Sequence, residues 1–273
     1  MSAASLPAIC AGLPPISPRA LLAADGVRIE AVHVPPADLG VNGGRELAVV
    51  VAHGFAGSWR RPAVLRVTDW LRTHGGVFSF DFRGHGRSGG LSTIGDREVL
   101  DLDAVVRWAR VLGYRKVATV GWSMGAAVVV RHAALHRNVD AAVAVSGPAR
   151  WYYRGTRPMR RVHWAFERRH GRILLRHFYG ARVDSRGWDQ TRPESWPEAP
   201  YQLVSRIAPT PLLIVHGDVD PYFPVDHAEQ LAHAAGDSAE LWVVEGFGHA
   251  ENAAGPDLVS SIGHWVRGAV ESR

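Results

Sequence analysis

Short, mainly apolar runs alternate with amphipathic stretches along most of the chain. Each run predicts a strand buried on both faces of a parallel sheet. These runs lie at residues 47–52, 77–80, 117–120, 139–145, 211–215 and 241–244. Helical spacing of apolar residues predicts helices near 61–72, 96–112 and 256–266. This alternation predicts an α/β fold with an open, doubly wound, mostly parallel sheet.

The N-terminal region lies outside this alternation. Residues 1–22 are rich in proline and small residues, so we predict a flexible arm there. Val27, Ile29 and Ala31 then alternate with polar residues, which predicts an antiparallel strand at the edge of the sheet.

A second segment interrupts the pattern after Pro148. Residues 150–200 are rich in arginine, tryptophan, tyrosine and histidine, and they carry no buried-strand pattern. We predict that they form a helical lid over the ends of the strands. The core would then consist of residues 23–149 and 201–273.

The run that ends at Gly121 continues directly into Trp122-Ser123-Met124-Gly125 and then into small apolar residues. This is a G-x-S-x-G sequence in a strand, sharp turn and helix context, which predicts a nucleophile elbow. Larger side chains at Gly121 or Gly125 would collide with the neighbouring strand and helix. The alternative is a glycine-rich connection that carries a serine without a catalytic role.

Further polar residues follow apolar runs at the carboxyl edge of the predicted sheet, where ligands of such folds bind. A serine hydroxyl needs an adjacent base and a group that orients the base. Ser123, Asp220 and His249 occur in the order expected for a triad in this fold. We predict that His249 transfers the proton and that Asp220 stabilises the imidazolium.

Two backbone amides are candidates for binding the oxyanion that forms during acyl transfer. One is the N–H of Met124, directly after the candidate nucleophile. The other is the N–H of Phe55, in the glycine-rich loop after the first buried run. His53 is interpreted as a residue that shapes this loop.

Five short motifs resemble those of α/β-hydrolase-fold proteins. They are HGFAGS at 53–58, DFRGHGRSGG at 81–90, GWSMG at 121–125, HGDVDPYFP at 216–224 and GFGH at 246–249. The resemblance extends from Gly26 onward and is similar to the serine-aminopeptidase and monoacylglycerol-lipase-like group. It implies a serine hydrolase that needs no cofactor and cleaves a carboxylic ester, a thioester or a monoacylglycerol.

The resemblance also limits the alternatives. Family members that dehalogenate alkyl halides or open epoxides carry aspartate where this chain has Ser123. The serine therefore argues against both of these activities and for acyl transfer to water. Cofactor-free perhydrolases and carbon–carbon bond hydrolases use the same triad and stay open as alternatives. A non-catalytic binding module of the same fold is the alternative from another class, although such proteins commonly lack a triad residue.

Substrate recognition is less well defined by the sequence. We predict that Trp122, Trp151, Tyr152 and Phe247 contact the substrate. The arginines of the lid are interleaved with aromatic residues, so its basic face could meet an anionic substrate or make weak contact with an anionic membrane. Two ordinary amphipathic helices with solvated arginines are an equal alternative.

Several other residues carry weaker signals. Asp218 competes with Asp220 for the acid role, but we interpret Asp218 as a turn former. We expect Asp81 and Arg83 to hold a tight turn by hydrogen bonds. His132 and His136 have the i,i+4 spacing of a metal-binding pair, but a packing role is favoured, and no metal is predicted.

Composition adds broad limits. The chain has 273 residues, 47% hydrophobic and 21% charged, which suits a globular protein. Its formal charge of +5 comes almost entirely from arginine, without a recognisable nucleic-acid-binding motif. With a single cysteine, Cys10, no intrachain disulfide forms. No signal peptide or spanning helix is predicted, and we expect a cytoplasmic location. The oligomeric state is not indicated.

Overall fold

The centre of the molecule is an eight-stranded sheet. The computed structural model describes residues 13–14, 16–38, 45–184 and 196–272. The strands are β1 (Arg19–Leu22), β2 (Arg28–Val34), β3 (Leu47–Ala52), β4 (Gly76–Phe80), β5 (Lys116–Trp122), β6 (Ala141–Val145), β7 (Leu212–Gly217) and β8 (Ala239–Val244).

The sheet is mostly parallel, as predicted. Its strand order is β1-β2-β4-β3-β5-β6-β7-β8. The β1–β2 and β2–β4 pairs are antiparallel, and all other neighbouring strands are parallel. Every residue of β3, β4, β6 and β7 is buried, which explains their continuous apolar sequence.

Helices cover both faces of the sheet. They are α1 (Pro62–Leu71), α2 (Glu98–Val111), α3 (Met124–His136), α4 (Arg157–Glu167), α5 (Arg169–Leu174), α6 (Pro200–Leu203), α7 (Asp226–Ala235), α8 (Ala250–Ala253) and α9 (Pro256–Glu271). One apolar cluster joins α2, α3 and α7 to one face of the sheet. Another joins α1 and α9 to the opposite face. The doubly wound arrangement predicted from the sequence is therefore confirmed.

The N-terminal edge of the sheet differs from the prediction. Residues 28–34 form β2, which is the second strand, because Arg19–Leu22 pairs with it as β1. A turn closed by the hydrogen bond from Ala23 N–H to Val27 O, at 2.9 Å, joins the two strands. The side chains of β1 are mostly exposed, so the strand carries no apolar alternation. The predicted flexible arm thus overlaps a strand at 19–22, while residues 1–12 lie outside the described residues.

Helices form much of the segment between β6 and β7. Helices α4 and α5 are followed by a π-helical turn at Leu175–Tyr179. Phe166, Leu175 and Ala181 pack together and contact Phe55 and Ile94 of the core. The helical character predicted for 150–200 agrees with the described part, whereas residues 185–195 lie outside it.

Candidate active site

Ser123 lies at the sharp turn between β5 and α3. Its backbone has φ 54° and ψ −114°, a strained conformation for a residue with a side chain. The two glycines allow the close packing that this turn requires. A Cβ on Gly121 would lie 2.2 Å from Gly125 O, and one on Gly125 would lie 2.2 Å from Ala52 O. Any larger residue would therefore force the strand and helix apart.

His249 lies within hydrogen-bonding distance of both of the other predicted triad residues. His249 Nε2 is 2.9 Å from Ser123 Oγ, and His249 Nδ1 is 2.7 Å from Asp220 Oδ2. The Asp220 side chain is fully buried. Its Oδ1 accepts hydrogen bonds from the N–H groups of Tyr222 and Phe223 at 2.8 and 3.1 Å. These bonds fix the carboxylate so that it accepts the Nδ1–H of His249 and leaves Nε2 facing the hydroxyl.

Asp218 occupies a different environment. Its Oδ1 accepts a hydrogen bond from Gly246 N–H at 2.7 Å, which ties the loop after β7 to the loop after β8. His216 is buried, and its Nε2 donates to Phe223 O at 2.9 Å. Both residues therefore support the loop that carries Asp220.

Phe55 and Met124 both line the cavity that Ser123 also lines. Neither N–H has a hydrogen-bond acceptor among the residues that the structure describes. Met124 is the first residue of α3, where the helix dipole favours negative charge. Two unpaired backbone donors in residues that line the same cavity as Ser123 suit the binding of an oxyanion.

Two buried histidines hold the loop that carries Phe55. His53 Nε2 accepts from Phe82 N–H at 3.2 Å, so its Nδ1–H donates to Gly54 O at 2.7 Å. His85 Nε2 accepts from Ala56 N–H at 3.1 Å, so its Nδ1–H donates to Arg83 O at 3.0 Å. Both rings must be neutral to make these bonds. Burial lowers the pKa of His53 to about 3 and also lowers the pKa of His85.

Asp81 and Arg83 stabilise the adjacent turn, as the sequence suggested. Asp81 Oδ1 accepts from Ser58 Oγ at 2.6 Å and from Trp59 N–H at 3.0 Å. The Arg83 guanidinium pairs with Asp101 at 2.7 Å. The turn is therefore a structural support for the Phe55 loop.

Glu251 was missed by the sequence reasoning. It is 6% exposed, and its Oε1 accepts from Gly54 N–H at 3.3 Å. A Cβ on Gly54 would lie 3.4 Å from Ser123 Cβ and 3.5 Å from both Glu251 carboxylate oxygens. Burial raises the pKa of this carboxyl. Glu251 thus holds the backbone just before Phe55; its position two residues after His249 was the available signal.

These buried histidines should make stability depend on pH. Burial also lowers the pKa of His33 and His227 to about 4, whereas an unfolded histidine titrates near 6.5. As pH falls below about 6.5, the unfolded chain takes up protons that the folded chain does not. We expect the free energy of unfolding to be fully retained above this pH and to fall by about 2 kcal/mol per such histidine between pH 6.5 and 5.

Urea unfolding followed by circular dichroism from pH 8 to pH 5 measures this effect. Glu251 and Asp101 act in the opposite sense, because burial raises the pKa of both carboxyl groups, that of Asp101 to about 7, and this gives stability that is lost as pH rises. These are two groups against the larger set of buried histidines, so the net expectation is still a loss of stability as pH falls. His33→Gln should reduce the slope by about one proton. Stability that does not fall between pH 6.5 and 5 would contradict the expectation.

A cavity of about 880 Å³ opens beside Ser123 and His249. Helices α4 and α5 and the π-helical turn form much of its wall, mainly with apolar and aromatic side chains. Trp151 and Tyr152, two of the four predicted substrate contacts, line this cavity.

The other two predicted contacts were wrong. Trp122 is fully buried and packs with Val120 and Val145 on the α9 side of the sheet. Side chains alternate along a strand, so the residue before Ser123 points into this core. Phe247 is 6% exposed and belongs to the same apolar cluster. Neither side chain lines the cavity.

Comparison with known proteins identifies the family. The model of the alpha/beta hydrolase family matches residues 49–260, well over half of the chain. The chain therefore belongs to this family. No curated protein matches the chain at a significant level.

Solved structures share the fold over nearly the whole chain. The esterase Pf2001 of Pyrococcus furiosus superposes with a TM-score of 0.69 at 22% identity, covering 93% of this chain and 92% of its own. DcsB, in complex with its substrate analogue, gives 0.73 at 17% identity, covering 94% and 100%. Est1E of Butyrivibrio proteoclasticus, with bound ferulic acid, gives 0.64 at 19% identity, covering 92% and 98%. These likenesses establish the fold.

Within the described residues, no helix has the length and apolar character needed to cross a membrane.

Proposed function

We propose that the protein is a cofactor-independent serine hydrolase that cleaves carboxylic esters through an acyl-enzyme. The observation that carries this proposal is the hydrogen-bonded chain from Ser123 through His249 to Asp220. Membership of the alpha/beta hydrolase family supports it. Two of the proteins that share the fold also support it. Pf2001 is an esterase, and Est1E binds ferulic acid.

The proposed reaction begins with attack of Ser123 Oγ on the ester carbonyl carbon. His249 Nε2 accepts the hydroxyl proton, and Asp220 stabilises the resulting imidazolium. The N–H groups of Phe55 and Met124 bind the oxyanion of the tetrahedral intermediate. His249 then donates the proton to the leaving alcohol oxygen as the carbon–oxygen bond breaks.

Water completes the turnover. His249 Nε2 removes a proton from a water molecule as its oxygen attacks the acyl carbon. The same two amides bind the second oxyanion. Collapse of this intermediate breaks the bond to Ser123 Oγ, which regains its proton from His249, and releases the carboxylic acid.

The side chains of the cavity wall support the proposal that the cavity binds the acyl part of the ester and prefers an apolar acyl group. Phe55, Met159, Phe166 and Leu175 all line it, and such pockets bind mainly by apolar contact. We propose that residues 150–200 act as the lid of this cavity. A thioester or a monoacylglycerol would fit the same chemistry.

The proposed lid also exposes basic and aromatic side chains to solvent. Phe178 and Tyr179 are 74% and 56% exposed. Of the nearby arginines, Arg154 is paired with Glu167 at 2.6 Å, whereas Arg161 has no ion pair among the described residues and lines the cavity. This surface supports weak contact with an anionic membrane. Co-sedimentation with vesicles that is independent of anionic lipid would remove that part of the proposal.

A series of 4-nitrophenyl esters from acetate to dodecanoate tests the substrate proposal. We expect kcat/KM to rise with acyl length and then fall once the chain exceeds the cavity. Trp151→Ala should shift the ratio of kcat/KM for long and short esters by about 10-fold, because it changes apolar contact in the pocket.

The matched control is Trp122→Phe. This residue lies in the core, so we expect lower stability with an unchanged chain-length preference. Equal changes of preference in both variants would contradict the placement of the acyl group against Trp151.

A further inference from the structure

Metal-ligating side chains meet between α2 and α3, outside the lining of the cavity. Asp103 lies on α2, and His132 and His136 lie one turn apart on α3. Their candidate ligand atoms are all within 4.8 Å of one another. The His132 side chain is 0% exposed, and neither of its ring nitrogens has a hydrogen-bond partner among the described residues. A buried ring with two unpaired nitrogens is costly unless something binds it.

The distances suit a shared cation better than hydrogen bonds. Asp103 Oδ1 lies 3.6 Å from His132 Nε2 and 3.4 Å from His136 Nδ1. Hydrogen bonds in proteins are shorter, at about 2.7–3.2 Å. Ligands bound to one tetrahedral zinc ion at about 2.0–2.2 Å are separated by roughly 3.3–3.6 Å. The two separations therefore match an N–Zn–O arrangement.

Neighbouring groups hold the carboxylate in place. Asp103 Oδ2 pairs with Arg107 Nε at 2.9 Å, and Asp103 Oδ1 accepts from Asn138 Nδ2 at 2.9 Å. Hydrogen bonds of this kind commonly orient carboxylates that bind metals. The rings of His132 and His136 are stacked with centroids 4.8 Å apart, so a small turn of the more exposed His136 ring is needed to bring both nitrogens onto one ion.

We propose that Asp103, His132 and His136 form a zinc-binding site that links α2 to α3. Two imidazoles and one carboxylate form a donor set that zinc favours. The His136 side chain is 27% exposed, which gives the ion a route of entry and leaves a fourth position for water. This proposal replaces the packing role that the sequence suggested, and it is independent of the proposed hydrolase activity.

The full-length protein, treated with chelator and dialysed, is titrated with ZnCl₂ by calorimetry at pH 7.5. We expect one equivalent to bind and the melting temperature to rise by about 5 °C at saturation. CoCl₂ in place of zinc should give visible absorption bands of a tetrahedral site.

Two variants distinguish this site from adventitious binding. His136→Ala should weaken zinc binding at least 10-fold and remove the cobalt bands, while the metal-free protein melts as the parent does. His170→Ala, which removes an exposed histidine on α5, should bind zinc like the parent. The proposal is overturned if the parent binds no zinc, if cobalt gives no such bands, or if both variants lose binding equally.

Discussion

Ser123→Ala is expected to lower kcat for a short-chain aryl ester by about 10⁴- to 10⁶-fold. The substitution removes the only atom of the residue that could form the acyl-enzyme, while the two oxyanion donors and the cavity stay in place. The rate of nitrophenolate release from 4-nitrophenyl butyrate measures the effect. Circular dichroism and thermal melting should show an intact fold, because alanine has the same Cβ as serine at the strained φ of 54°.

A double variant that also replaces His249 provides the control for this result. Replacing one residue of a catalytic unit lowers activity about as much as replacing several of them together. We therefore expect Ser123→Ala combined with His249→Ala to be no slower than either single variant. Hydrolysis that is undiminished in Ser123→Ala would contradict the proposed nucleophile.

Asp220→Asn is expected to lower kcat by about 10⁴-fold. Asp220 Oδ2 lies 2.7 Å from His249 Nδ1, and an amide there would favour the wrong histidine tautomer. The loss should appear in kcat with little change in KM, because Asp220 touches the base and not the substrate. Steady-state kinetics with the same ester would show it.

Asp218→Asn is the matched control, two residues away in the same loop. Its carboxylate bonds to Gly246 N–H at 2.7 Å, a bond that the asparagine oxygen can also accept. We expect kcat to stay within a few-fold of the parent, with a modest loss of stability. A larger loss of kcat in Asp218→Asn than in Asp220→Asn would reverse the assignment of the acid.

Much of the fold follows from local sequence patterns. Strands β3 to β7 lie near their predicted positions because strands buried on both faces need continuous apolar runs. The edge was harder to predict. Strand β1 is mostly exposed, so burial leaves no periodic signal in residues 19–22.

The candidate site divides in a similar way. Ser123 directly follows β5, and Asp220 and His249 lie in the loops just after β7 and β8. Parallel topology brings these strand ends to one edge of the sheet. Their catalytic roles stay predictions. The position of a residue after a strand does not show which way its side chain points or which distant residues it contacts. Trp122 and Phe247 therefore entered the predicted pocket wrongly, and Glu251, which contacts Gly54 from 197 residues away, was missed.

The central claim is that Ser123 is a nucleophile activated by His249. Reaction of the native protein with a fluorophosphonate probe tests it most directly, with intact mass and peptide mapping as readouts. We expect a single covalent adduct on Ser123, formed in the parent and lost or greatly slowed in His249→Ala. The absence of any adduct on the native protein would contradict this claim and favour a non-catalytic binding module. An adduct at another residue, or labelling of His249→Ala at the parent rate, would also contradict the claim.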